Sequence, residues 1–123
     1  IKSFIYLDFA ESPDNINALY RDLDKMKFID RKETGLSVFK KVFSNAEITN
    51  KITWTGTVEE LVYFIRTLKN SGKIEDTKLN IWKITRMCFE LIDGRDLNTL
   101  NLRGQKLPTQ TRIKEIEKAI KNL

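Results

Sequence analysis

The sequence predicts a mainly helical α+β domain: two similar helical units, helix-turn-helix- or winged-helix-like, then a C-terminal helix, with one minor strand pair. Three observations carry this. Apolar residues recur at intervals of three and four through most of the chain, which is the spacing of a buried helix face. Only two prolines and five glycines interrupt 123 residues, as suits a helix-rich chain. Finally, the chain repeats one plan. At an offset of 45 residues Ser12 meets Thr57, Ile16 meets Leu61, Leu19 meets Phe64, Tyr20 meets Ile65, Leu23 meets Leu68 and Ile29 meets Ile74. After one inserted residue, Val42 meets Cys88 and Phe43 meets Phe89. Cap, long helix, link, second helix and closing Phe read as an internal repeat. One domain over 1–123 is expected, with a first unit over 1–50 and a second unit plus C-terminal helix over 51–123. Such a chain buries roughly two-thirds of its unfolded surface and needs no disulfide or metal to hold it.

The elements follow in order. Residues 1–10 are β-branched and aromatic and read as a strand over 4–8, with Ile52–Thr55 as the obvious partner. Ser12 is a good N-cap, Pro13 suits the first helical position and Asp14 the positive helix end, so a helix runs to about Lys25. Leu36, Phe39, Val42 and Phe43 mark a shorter helix. Thr57 and Glu60 have the Thr-x-x-Glu spacing of a capping box, in which each side chain satisfies an orphan backbone N–H of the other. The helix they open carries Val58, Leu61, Phe64, Ile65 and Leu68 on one face and stops near Gly72. A further helix is expected over 78–91, capped by Thr77. Residues 93–108 read as a helical turn at Leu97 and Leu100 with a loop, or as a β-wing. A last helix begins at Thr109 or Thr111, with Ile113, Ile116, Ile120 and Leu123 on its apolar face. The expected core comprises Ile16, Leu19, Leu23, Phe39, Phe43, Trp54, Leu61, Ile65, Leu68, Ile84, Phe89 and Ile116.

Composition argues against most catalytic chemistry. There is no histidine, hence no imidazole base or ligand, and the one cysteine, Cys88, sits in an apolar pattern as a buried thiol would. The glycines are scattered, so no phosphate-cradling loop is present. Asp93-Gly94-Arg95-Asp96 resembles part of a calcium loop but lacks the ligand at the twelfth position. No enzyme activity, cofactor or metal is expected. A single cysteine and the absence of a secretory pattern fit the cytoplasm, and no apolar run approaches the roughly 18 residues of a membrane span. Trp54 and Trp82 read as core residues.

The formal charge is +5, and residues 95–123 hold seven basic and three acidic residues while 57–94 hold six of each. Such an excess favours a polyanionic partner, although a solvated basic helix face has the same composition. Helices 57–70 and 78–91 form a helix-turn-helix-like pair. A reading helix presents residues near its start to base edges, here Lys78, Asn80, Lys83 and, further along, Arg86. Arg95, Arg103 and Lys106 follow where a wing touches phosphates.

From Asn45 onward the chain resembles the RteC family, regulatory proteins carried by conjugative transposons of gut bacteria. The resemblance lies in Ile52-x-Trp54-x-Gly56, Glu60-Leu61, Leu68, Gly72, Ile74, the apolar run Ile81–Phe89, Leu97 and the final amphipathic helix. It implies a helical protein with a winged-helix-like C-terminal region acting in transcription control; the chain's own basic residues Arg95, Arg103, Lys106 and Arg112 are expected on phosphates of double-stranded DNA. The family's Arg-rich stretch is reduced here to Arg103, Lys106 and Arg112, and Ile113 and Ile116 stand in place of its Phe-Leu pair. The expected function is therefore a non-enzymatic DNA-binding regulator of a mobile element. The alternative is a protein-interaction or scaffold domain with a degenerate helix-turn-helix.

Overall fold

The structure, a computed structural model, describes residues 2–9, 11–76 and 81–123. Its elements are α1 (Asp14–Lys25), α2 (Leu36–Val42), β1 (Ile52–Trp54), α3 (Val58–Asn70), α4 (Ile81–Cys88), β2 (Phe89–Leu91), a 3₁₀ turn (Leu97–Thr99) and α5 (Gln110–Ile120). The described residues are mainly helical, with one small two-stranded sheet. Helix α5 packs across α1 and α3, and α2 packs against α1 and β1. All twelve expected core residues are buried. No helix among the described residues is long and apolar enough to cross a membrane.

The expected strand pair is corrected. β1 runs parallel to β2, with Ile52 opposite Phe89, Thr53 opposite Glu90 and Trp54 opposite Leu91. Parallel strands need a long crossover, and α3 and α4 supply it. The end of the predicted 78–91 helix is thus a strand, in which Phe89 and Leu91 point inward and Glu90 outward. Residues 77–80, and with them the expected cap at Thr77, lie outside the described residues. Residues 4–8 cannot pair with β1 because its other edge is also taken. There Thr55 N–H donates to Phe28 O at 2.8 Å, and Ile29 bridges Trp54. The opening segment lies instead between two loops. Asn45 N–H donates to Phe4 O (3.0 Å) and Tyr6 N–H to Phe43 O (3.1 Å) on one side; Leu7 N–H donates to Lys73 O (3.1 Å) on the other. Phe4 and Tyr6 are buried, so the segment is a core filler held by single bridges.

The helix termini follow local chemistry. α1 starts one residue later than expected, with Pro13 at the cap position already in helical geometry. The capping box at α3 is complete: Glu60 N–H donates to Thr57 Oγ1 at 3.2 Å, and Thr57 N–H donates to Glu60 Oε1 at 2.8 Å. α5 begins with Thr109 as its cap. Between β2 and α5 the chain forms the 3₁₀ turn and a loop, the first of the two expected forms.

Both long helices end in the same Schellman motif, in which a residue of positive φ turns the chain and the last carbonyls are satisfied. In α3 the residue is Gly72, with φ 71°; Gly72 N–H bonds Lys69 O and Lys73 N–H bonds Leu68 O. In α1 the matching residue is Lys27, with φ 64°; Lys27 N–H bonds Asp24 O and Phe28 N–H bonds Leu23 O. Each motif delivers an isoleucine to the other half, for Ile29 bridges Trp54 and Ile74 bridges Tyr6. A lysine in left-handed geometry carries a steric cost of about 1 kcal/mol that glycine avoids. Lys27→Gly is therefore expected to stabilise the protein by about 0.5–1 kcal/mol, and Gly72→Lys to destabilise it by about 1 kcal/mol, both read from urea midpoints.

Candidate nucleic-acid interface

The eight sequence-predicted contact residues divide by what their side chains already hold. Lys78 and Asn80 lie outside the described residues. Lys83, Arg103 and Lys106 are exposed. Arg95 is exposed but bonds Asp93, Nε to Oδ2 at 2.8 Å; the Arg95 backbone N–H, then its side chain, hold the Asp93 carboxyl below its ordinary range. Arg86 is half-buried, with Nε donating to Leu97 O (3.2 Å) and Nη2 to Leu100 O (3.1 Å). It fastens the 3₁₀ turn to α4.

Arg112 is the most engaged of the eight. Its Nε donates to Glu60 Oε2 at 2.8 Å, and its Nη1 to Met26 O at 2.7 Å and to Glu115 Oε1 at 3.3 Å. Its guanidinium lies 3.7 Å from the Phe28 ring centroid. Burial works against the charge, but the bonds and charge of Glu60, then of Glu115, leave its pKa above the ordinary value. This is a structural clasp joining α5, α3 and the end of α1. Sequence reading missed it because Glu60 is 52 positions away and was already accounted for by the capping box.

The structure gathers a different set of cations. An open groove of about 710 Å³ is lined by Ile48, Lys51, Lys83, Arg86, Met87 and Asn98. Lys51 and Lys83 are exposed, and the described residues that line the groove include no carboxylate. A smaller hollow of about 210 Å³ shares Lys51 and Arg86 and adds Arg95, Glu90 and Asp96. Those two carboxylates accept bonds from neutral groups and keep their charge: Glu90 Oε1 accepts from Thr53 Oγ1, and Asp96 Oδ1 accepts from the Asn98 backbone and side-chain amides. Lys51 was absent from the predicted set. It closes the loop after α2, and only the tertiary fold lays it against α4. Lys106 lies elsewhere, beside the starts of α3 and α5 with Thr57, Glu59 and Thr109. Arg103 joins α3, its carbonyl accepting from Arg66 Nη2 at 2.6 Å, while Arg66 sits 5.7 Å from the Trp82 ring centroid.

Cys88 is buried, as its pattern suggested. Burial pushes its thiol from 9.0 up to about 12, against the smaller pull of a backbone hydrogen bond from Phe4 and the charge of Lys51. The thiol is not a nucleophile at neutral pH.

Two tests follow from this geometry. Arg112→Ala strips the partner from a nearly buried Glu60 carboxylate and from Met26 O, and is expected to cost about 2–4 kcal/mol in urea denaturation. Cys88 is expected to resist alkylation at pH 8 until the protein unfolds. Because its folded pKa is raised, the folded state holds a proton the unfolded state loses, so stability should fall as pH rises from about 9 to about 12. Tyr20, whose pKa burial also raises, contributes to the same fall. The difference between the wild type and Cys88→Ala isolates the thiol.

Comparison with protein-family models, with curated proteins and with solved structures finds no match for this chain in any of the three.

Proposed function

We propose that this chain is a non-enzymatic DNA-binding regulator of a mobile element, of the RteC kind, acting in transcription control in a bacterial cytoplasm. The observation that carries the reading is the groove beside α4, where Lys51, Lys83 and Arg86 face one space without a lining carboxylate among the described residues. A polyanion that enters it releases counterions from both partners. In this reading α3 and α4 act as the helix-turn-helix pair. Lys78 and Asn80, just ahead of α4, address base edges, and the 93–108 segment takes the place of the wing. Phosphate contacts belong to Lys51, Lys83, Arg95, Arg103 and Lys106. Arg112 drops out of that set, since its guanidinium is held by Glu60, Met26 and Glu115.

The scaffold alternative draws on two observations. Lys106 lies apart from the groove, beside Glu59 and the starts of α3 and α5. Arg95 and Arg112 are ion-paired within the chain, which lowers the free positive charge of the wing region and of α5. Binding to labelled duplex DNA over a salt series from about 50 mM separates the two. The DNA reading expects affinity that falls linearly on a log–log plot, with Lys83→Ala and Arg103→Ala each lowering the slope by about one. An absence of binding even at low salt would refute it and favour a protein partner.

A further inference from the structure

We infer that the groove beside α4 holds consecutive phosphates of one nucleic-acid strand, with Arg86 as a pre-oriented phosphate fork rather than a reader of bases. The inference rests on the DNA-binding reading for its partner, but its chemistry stands on the groove itself. Arg86 spends two of its five N–H groups on Leu97 O and Leu100 O, which fixes the plane of the guanidinium. No carboxylate pairs with it among the described residues, so the remaining N–H groups keep full positive charge and donor capacity. A guanidinium already held in place loses little freedom on binding, and its geometry matches two oxygens of one phosphate.

The same two bonds exclude base readout. A side chain tied to the 3₁₀ turn from its own helix cannot extend into a major groove to reach guanine. Lys51 and Lys83 flank Arg86, and three cations around one space call for more than a single negative charge. Adjacent phosphodiesters supply this along one strand. Ile48 and Met87 are half-buried against the core and line the same groove. They offer apolar contact to the sugar carbons between phosphates, which the side chain of an acidic peptide would leave unused. Contact here therefore positions the strand and carries no sequence information.

Tripolyphosphate serves as the probe that contains the phosphates alone. Titrated into the folded, nitrogen-15-labelled chain, it is expected to shift the Arg86 Nε–Hε signal and the Lys51, Lys83 and Asn98 amides along one saturable curve. Lys51→Ala with Lys83→Ala should weaken that binding at least tenfold with an unchanged urea midpoint. With duplex DNA the same double variant should lower the log–log salt slope by about two and leave the preference among sequences intact. If tripolyphosphate binds in this way but duplex DNA does not, the phosphate site stands and the DNA reading falls. A duplex salt slope that ignores the double variant overturns the groove assignment while the DNA reading stands. Tighter binding of a polyglutamate peptide than of tripolyphosphate, or a loss of sequence preference in the double variant, also overturns it.

Discussion

A column of four side chains runs through the centre of this protein, and most of the architecture is arranged to complete it. The Arg112 guanidinium lies against Phe28, Phe28 stacks on Trp54 at 5.4 Å, and Trp54 stacks on Phe64 at 5.5 Å. These residues come from α5, the link after α1, β1 and α3, so one line of contacts ties four parts of the chain. Flat rings burying large areas supply the hydrophobic term, and the cation adds attraction to the ring face. Two members of the column are fixed by polar bonds. The Trp54 indole N–H donates to Thr57 O at 2.9 Å, and Arg112 holds the Glu60 carboxylate that also closes the α3 cap. Gly56 lies in the angle between them, where a Cβ would come within 2.5 Å of Glu60 Oε1 and 2.9 Å of Trp54 Nε1. The Trp-x-Gly-Thr-x-x-Glu stretch is thus one physical unit.

That unit was legible in the sequence because its parts are close together. Capping spacing, an apolar face on α3 and a glycine after it are local signals, and each describes what the structure contains. The core was legible for the same reason, since helix periodicity alone selects Ile16, Leu19 and Leu23, or Leu61, Ile65 and Leu68. What was hidden depended on distance or on an untypical residue. β2 follows α4 without a break, and three residues of alternation after a helical run look like one more turn. Lys27 occupies a position where glycine is expected, so the end of α1 carried no sign of its geometry. Arg112 looked like one of several basic residues on the polar face of α5, and nothing nearby in sequence betrays a partner 52 positions away.

The candidate interface shows the same limit for charge. Counted along the chain, the positive excess sits in the last quarter, and residues 57–94 are neutral. In space the groove draws Lys83 and Arg86 from that neutral stretch and Lys51 from the loop before β1. Meanwhile Arg95 and Arg112 are partly offset by Asp93, Glu60 and Glu115. Net charge by segment therefore describes composition, while the field that a polyanion meets is set by which loops the α3–α4 crossover brings beside α4.

The exchange of isoleucines between the halves has a consequence for assembly of the fold. Ile29 completes its bridge only on Trp54, and Ile74 only on Tyr6. Each half thus finishes the backbone of the other, and the loop over 44–51 joins two partners that interlock. Helix turns and caps can form early, because their bonds span a few residues. The bridges cannot, for they close circuits of some dozens of residues, and loop closure must be met before they contribute. The bridges are therefore late to contribute, and a chain still lacking its Ile74 link would leave the Leu7 N–H and the Ile5 carbonyl without their partners, Lys73 O and Glu75 N–H.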